Sequence, residues 1–216
     1  MRLNPQIIML LLILSGIQIN SLSNESNDCE SSDEYEFIIG KWHTFPIEYE
    51  YNYAVPPMIK HAMDRAIQTY DDLFSFDLFI ESSTPKLVIE FGKLSPLELG
   101  HALIYINDAN ISSDMGVTTT DPAYVTGQIV NATVTFGTRV NYQEVDFSCD
   151  LIQAGAESII DVKSVAIHEL GHVLGLWHVK NLYSTMHSVY RGPFQQTLSD
   201  GEVLGLHLLY TDFCIY

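Results

Sequence analysis

His168-Glu169-Leu170-Gly171-His172-Val173-Leu174-Gly175-Leu176-Trp177-His178 is the stretch that decides how the rest of the chain is read. On a helix, side chains four positions apart stack on one face, so His168 and His172 can aim ring nitrogens at one point about 2 Å from each. A third ligand cannot follow on the same straight helix without drifting off that face. Gly175 accepts positive φ at little cost, so the chain can turn there and bring His178 back to the same point. Three neutral imidazoles leave a fourth tetrahedral position for water, the open coordination of a catalytic zinc rather than the closed set of a structural one. Glu169, beside the first histidine, is placed to reach that water. A bare HExxH can arise by chance in a helix that binds nothing. Here the third histidine, the glycine between and the downstream methionine Met186 would all have to share that chance.

Working outward, the 216 residues have room for one ordinary domain with a single core. Residues 1–23 combine Arg2, an apolar run from Ile7 to Leu14 and small residues at Ser21-Leu22-Ser23, which reads as a signal peptide. The run is short of the roughly 20 residues a spanning helix needs. Sequons at Asn24, Asn110 and Asn131 fit a secretory route. Residues 24–40 follow as an acidic segment, expected to be disordered, with Glu25, Asp28, Glu30, Asp33, Glu34 and Glu36. The net charge of −17 argues against nucleic acid or an anionic membrane as partner. Three cysteines, Cys29, Cys149 and Cys214, exclude a disulfide-framework miniprotein and permit one bridge in any of three pairings, Cys149 with Cys214 being the pair we favour.

The apolar periods from residue 41 onward predict mixed α/β architecture. Lys41 to Tyr53 alternates at period two and reads as a strand, and Pro56-Pro57 opens a helix whose Ile59, Ala62, Met63, Ala66, Ile67 and Tyr70 mark one packed face. Lys86 to Phe91, Ala102 to Ile106 and Gln128 to Phe136 read as further strands. Asp161 or Ser158 can cap the histidine helix, with Val165, Ala166, Leu170, Val173 and Leu174 as its apolar face. A last helix starts at Ser199, where Glu202 completes a capping box and Val203, Leu206 and Tyr210 form a stripe.

HExxHxxGxxH followed by a methionine turn is the signature of the metzincin zinc metallopeptidases, and Met186 stands eight residues past His178 in Ser184-Thr185-Met186. Within that clan the chain most resembles the catalytic domain of a matrixin, or matrix metalloproteinase. Lys41-Trp42 opening a strand, Met63-Asp64-Arg65-Ala66-Ile67, Leu87 to Gly92 as an edge strand, Gly100-His101-Ala102, and Leu198-Ser199 leading to Leu209-Tyr210 carry the resemblance in order. It implies an α/β (α+β) metzincin-like fold: a twisted, mostly parallel sheet with packed helices, a zinc-binding helix, a methionine turn and a C-terminal helix. It also implies a catalytic domain over residues 41–216.

The departures are as specific. Matrixins hold a second, structural zinc by three histidines and an aspartate. Here only His101 stands at a matching place and Thr135 replaces another histidine, so that zinc is predicted absent. The acidic run that helps bind calcium is replaced by Gly137-Thr138-Arg139, which leaves Asp108, Asp114 or Asp121 as weak calcium ligands. Cys29 lies in Asn-Asp-Cys-Glu and not in an inhibitory prodomain sequence, and Ser188 departs from the family's proline while Tyr190 fits. His187 is not expected to be a ligand.

The expectation is a secreted, extracellular, monomeric zinc endopeptidase that cuts extracellular proteins. Its metal is held by His168, His172 and His178, and water activated by that metal is deprotonated by Glu169, which then protonates the leaving amine. One rival is a secreted inactive binding module of the same fold that keeps zinc as a structural staple, and the other is a metal-dependent hydrolase of something other than peptide, such as an ester. Protein or peptide substrates are the implied partners, with no nucleic acid and no membrane beyond the signal peptide.

Overall fold

The computed structural model describes residues 35–107, 118–145 and 160–210. The chain runs β1 (Phe37–Ile38), β2 (Gly40–Lys41), β3 (Ile47–Tyr51), α1 (Pro57–Asp71), β4 (Phe79–Glu81), β5 (Leu87–Gly92), β6 (Gly100–Asn107) and β7 (Thr118–Thr119). It continues with β8 (Gly127–Gly137), β9 (Tyr142–Gln143), β10 (Ile160–Asp161), α2 (Val162–Val173) and α3 (Asp200–Tyr210), with 3-10 turns at Pro122–Tyr124 and Pro193–Gln196. The six-stranded sheet is ordered β2-β8-β5-β3-β4, with β6 on the other side of β8. Every pair in it is parallel except β6 with β8, so the mostly parallel α/β sheet is as expected.

Helix α1 starts where two prolines allow it, since Pro57 at the first helical position has no N–H to leave unpaired. Its buried residues are the six picked out by period: Ile59, Ala62, Met63, Ala66, Ile67 and Tyr70. It packs on α2, and the Tyr70 hydroxyl donates to the Ile167 carbonyl at 2.8 Å.

Several boundaries differ from the sequence reading. The strand expected over 41–53 is two strands, because Pro46 has no amide hydrogen for a ladder and the apolar positions change parity between Trp42 and Phe45. The residues Leu87 to Gly92 form an interior strand, not an edge, since β5 pairs with both β3 and β8. The edge is β6. Strand β8 carries a bulge: Tyr105 faces Asn131 while Ile106 faces Ile129, so the inward set moves from Ile129 to Ala132, Val134 and Phe136.

Residues 35–40 are not a disordered tail. Phe37, Ile38 and Ile39 are buried, β1 pairs with β7, and the Ile38 amide donates to the Gly175 carbonyl at 2.9 Å. Their apolar side chains are part of the hydrophobic core. In α3 the inward residues are Glu202, Leu206, Leu209 and Tyr210, while Val203 is only half-buried. Residues 1–23, the three cysteines, Asn24, Asn110, Ser158, Asp108 and Asp114 lie outside the described residues. Asn131 is exposed on β8, and the Asp121 side chain accepts from the Ala123 amide at 2.9 Å within a turn.

Candidate metal centre

Helix α2 is set by its caps. Asp161, fully buried, accepts at Oδ2 from the Ser164 amide and hydroxyl, both at 2.7 Å, and at Oδ1 from the Val145 amide at 3.0 Å. At the other end Leu176 N–H donates to Gly171 C=O at 2.9 Å and Gly175 N–H to His172 C=O at 3.0 Å, the two bonds of a Schellman motif. Gly175 takes φ +97°, as that motif requires of the residue past the helix. The remaining carbonyls are met from afar: Trp42 Nε1 donates to Val173 O and the Tyr210 hydroxyl to Leu174 O, each at 2.8 Å.

The turn brings the three predicted histidines together. Nε2 of His172 lies 3.1 Å from Nε2 of His168 and 3.2 Å from Nε2 of His178, and the last pair is 3.2 Å apart. Three nitrogens about 2.0–2.1 Å from one tetrahedral zinc stand ~3.3 Å from each other. The fit is therefore close. Among the described residues this is the one cluster of three or more His, Cys, Asp or Glu side chains able to hold a metal ion.

Two of the rings are oriented by backbone carbonyls. His168 Nδ1–H donates to Thr185 O at 2.7 Å and His172 Nδ1–H to Leu176 O at 2.9 Å, which leaves both Nε2 lone pairs facing the common point. Burial pushes the His168 imidazole down to about 3, with His178 adding to it, and the His178 imidazole down to about 4. Burial also holds His172 well below its ordinary value, helped by the other two rings. All three are neutral donors at neutral pH.

Glu169 is fully buried, and neither carboxyl oxygen has a protein hydrogen-bond partner. Burial pushes its pKa up to about 8, with the charge of Glu98 adding to the rise. It packs on the start of β6, where a Cβ on Gly100 would stand 2.6 Å from Oε1. An acid-base group needs a pKa near the working pH, and burial brings the Glu169 carboxyl there.

Met186 lies in the turn expected of it, 1% exposed. Its sulfur approaches α2 so closely that a Cβ on Gly171 would stand 2.4 Å away, so this glycine is set by contact with the methionine. His187 stays outside the cluster, and its Nδ1 accepts from the Val189 amide at 3.1 Å. His101 sits on β6 opposite Thr135, with Nε2 buried and unpartnered.

The sequence reading missed two supports. Leu176 O as acceptor for His172 follows from the Schellman geometry and was implicit in Gly175. In the sequence Glu202 signals only a cap, and that box is present, with Ser199 N–H to Oε2 at 2.6 Å and Glu202 N–H to Ser199 Oγ at 3.4 Å. Its Oε1 also accepts from the Ser184 hydroxyl and, at 2.8 Å, from the Met186 amide. No local pattern in the sequence signals that second contact.

Residues 41–211 match the family described as Matrixin, peptidase M10. Stromelysin-1 of Equus caballus is 45% identical over 49 residues, a match that covers 21% of this chain and 10% of that protein. The aligned stretch is thus a tenth of the relative's length.

Proposed function

The chain belongs to the matrixin family of peptidases, and from that premise we propose that it is a secreted zinc-dependent endopeptidase whose metal is held by His168, His172 and His178. The observation that carries this reading is the convergence of three neutral Nε2 atoms beside a buried, unpartnered Glu169. Zinc bound there supplies Lewis acidity toward a water molecule and toward the scissile carbonyl.

The chain's own residues do the rest. Glu169, with its pKa near neutrality, takes the proton of the attacking water and returns it to the departing amine nitrogen. The buried surroundings keep bulk water from competing at that carboxyl. Among the described strands β6 pairs only with β8, so its outer edge can take an extended peptide as an added strand beside Glu169. A protein or peptide substrate fits such an edge, whereas a small ester has nothing to gain from it.

Secretion rests on residues 1–23 and on the sequons, with Asn131 exposed. No described helix is long and apolar enough to cross a membrane. Residues 24–216 are the proposed mature chain, acting as a monomer on extracellular proteins. Purified residues 24–216 should carry one zinc and cleave a peptide library in a chelator-sensitive way. Stoichiometric zinc with no cleavage would instead support the inactive module, and folded protein that takes up no zinc would remove the proposal.

A further inference from the structure

We propose that Glu202 is a positioning residue for His168, acting through the peptide group that joins Thr185 to Met186. The inference rests on the reading of His168 as a metal ligand. Glu202 Oε1 accepts from Met186 N–H at 2.8 Å, and Thr185 O, the carbonyl of that same peptide group, accepts from His168 Nδ1–H at 2.7 Å. A trans peptide is planar, with N–H and C=O pointing in opposite directions, so anchoring one end aims the other. The carboxylate and the imidazole therefore sit at the two ends of one rigid group.

The carboxylate does more than hold the turn in place. Glu202 is 1% exposed, and it gathers the Ser184 hydroxyl and the Ser199 amide as well. A negative charge held on the N–H side polarises the peptide and makes Thr185 O a stronger acceptor. A stronger acceptor at Nδ1–H fixes the tautomer of His168 and makes its Nε2 a better donor, as a carboxylate in direct contact with a ligating histidine would. Here a peptide stands between them.

His172 provides the internal comparison. Its Nδ1–H donates to Leu176 O, and the N–H of that peptide group, on Trp177, donates to the Glu36 backbone carbonyl at 2.7 Å. The same arrangement thus ends on a neutral carbonyl at His172 and on a carboxylate at His168. Removing the charge of Glu202 should affect one ring and leave the other unchanged.

The test compares the parent chain with Glu202→Gln, Glu202→Asp and Ser199→Ala. Zinc affinity is measured by competition with a chromogenic chelator, and the Nδ1 and Nε2 nitrogen signals of His168 and His172 are recorded by NMR on the metal-free protein. Glu202→Gln is expected to weaken zinc binding about tenfold, the lower end of the range for groups that support a ligand indirectly. It should also reduce the Nδ1–H population of His168 while leaving His172 as it was. Glu202→Asp, which keeps the charge, should recover part of both effects. Ser199→Ala removes the hydroxyl that caps α3 and should lower stability without changing zinc affinity.

A Glu202→Gln protein with zinc affinity within about twofold of the parent and unchanged His168 signals would overturn the proposal. So would equal losses in Glu202→Gln and Ser199→Ala, which would assign the effect to the helix cap, or no recovery in Glu202→Asp. If the parent itself took up no zinc, the metal-site reading would fall on its own, while the His168 signals of the metal-free protein would still decide whether Glu202 positions that ring.

Discussion

Helix α1 buries six of its fifteen residues, all on one face and all apolar or aromatic, whereas α2 buries eleven of its twelve, His168, Glu169 and His172 among them. The two pack against each other. A helix with one buried stripe is stabilised by that stripe and tolerates change on its outer face. A helix buried all round has no outer face, so every polar group on it must be matched by a protein partner or by a ligand. Helix α2 meets most of that demand with the Asp161 cap, the Thr185 and Leu176 carbonyls and the Schellman turn. What remains unmatched on the helix is two Nε2 lone pairs, which His178 Nε2 joins from beyond its end, and the Glu169 carboxyl, and that unmet chemistry is the candidate site.

The largest effect should come from breaking that contrast at its centre. Glu169→Gln keeps the volume but removes the proton acceptor, so turnover is expected to fall by about 10²–10⁴-fold, with zinc content unchanged. Peptide cleavage and metal analysis on the same sample check it. Equal turnover in the variant would take Glu169 out of the chemistry.

A second test uses acidity on the metal-free protein. His168 and His178 are depressed to about 3 and about 4 from 6.5, and His172 is depressed too, so below pH 6.5 the unfolded chain binds the extra protons and stability falls as pH drops. Glu169 is raised to about 8 from 4.5, so there the folded state holds the extra proton and stability falls as pH rises from 4.5 to 8. Three histidines outweigh one glutamate on the acid side. Denaturant melts should therefore show a maximum near pH 6.5, with the steeper arm below it, changing by roughly 1.4 kcal/mol per pH unit for each net proton. In Glu169→Gln the alkaline arm should flatten. Excess zinc should push the acid arm to lower pH, because the metal competes with protons for the same lone pairs.

The same contrast explains what could be read from the sequence. Signals that live within a few residues were legible: the prolines and apolar period of α1, His168 with His172, the positive φ of Gly175, the Ser199–Glu202 box. Signals that depend on a distant partner were not. That β6 and not β5 is the edge depends on pairings across the chain, and the break in the 41–53 strand depends on which neighbour each half finds. Phe37 and Ile38 are core because they meet the Gly175 turn and α3, which an acidic neighbourhood in sequence conceals. Glu202 looks like a cap because its second contact lies sixteen residues back, at Met186.

Smaller effects sharpen the comparison. Gly171 is fixed by contact on α2, so Gly171→Ala forces a methyl against the Met186 sulfur, where 2.4 Å is available. Overpacking of this kind is expected to cost about 1–3 kcal/mol. Met186 is 1% exposed, so its side chain has little free space to swing into, and part of the relief is expected from the turn that orients His168. Zinc affinity should therefore fall along with the melting temperature, and a stability loss with unchanged affinity would separate the turn from the ligand.

The smallest effect is expected on the outer face of α1. Gln68 is exposed there, and its Nε2 donates to Asp72 Oδ1 at 2.6 Å, four residues on. An exposed i,i+4 bond of this kind contributes roughly 0.2–0.5 kcal/mol, and alanine returns some of that through its higher helix propensity. Gln68→Ala should leave stability within about 0.5 kcal/mol of the parent and zinc affinity unchanged, by the same melts and chelator competition. A loss as large as that of Gly171→Ala would mean that the outward face of α1 is covered in the working protein, and the division between a helix with one busy face and a helix with no free one would no longer hold.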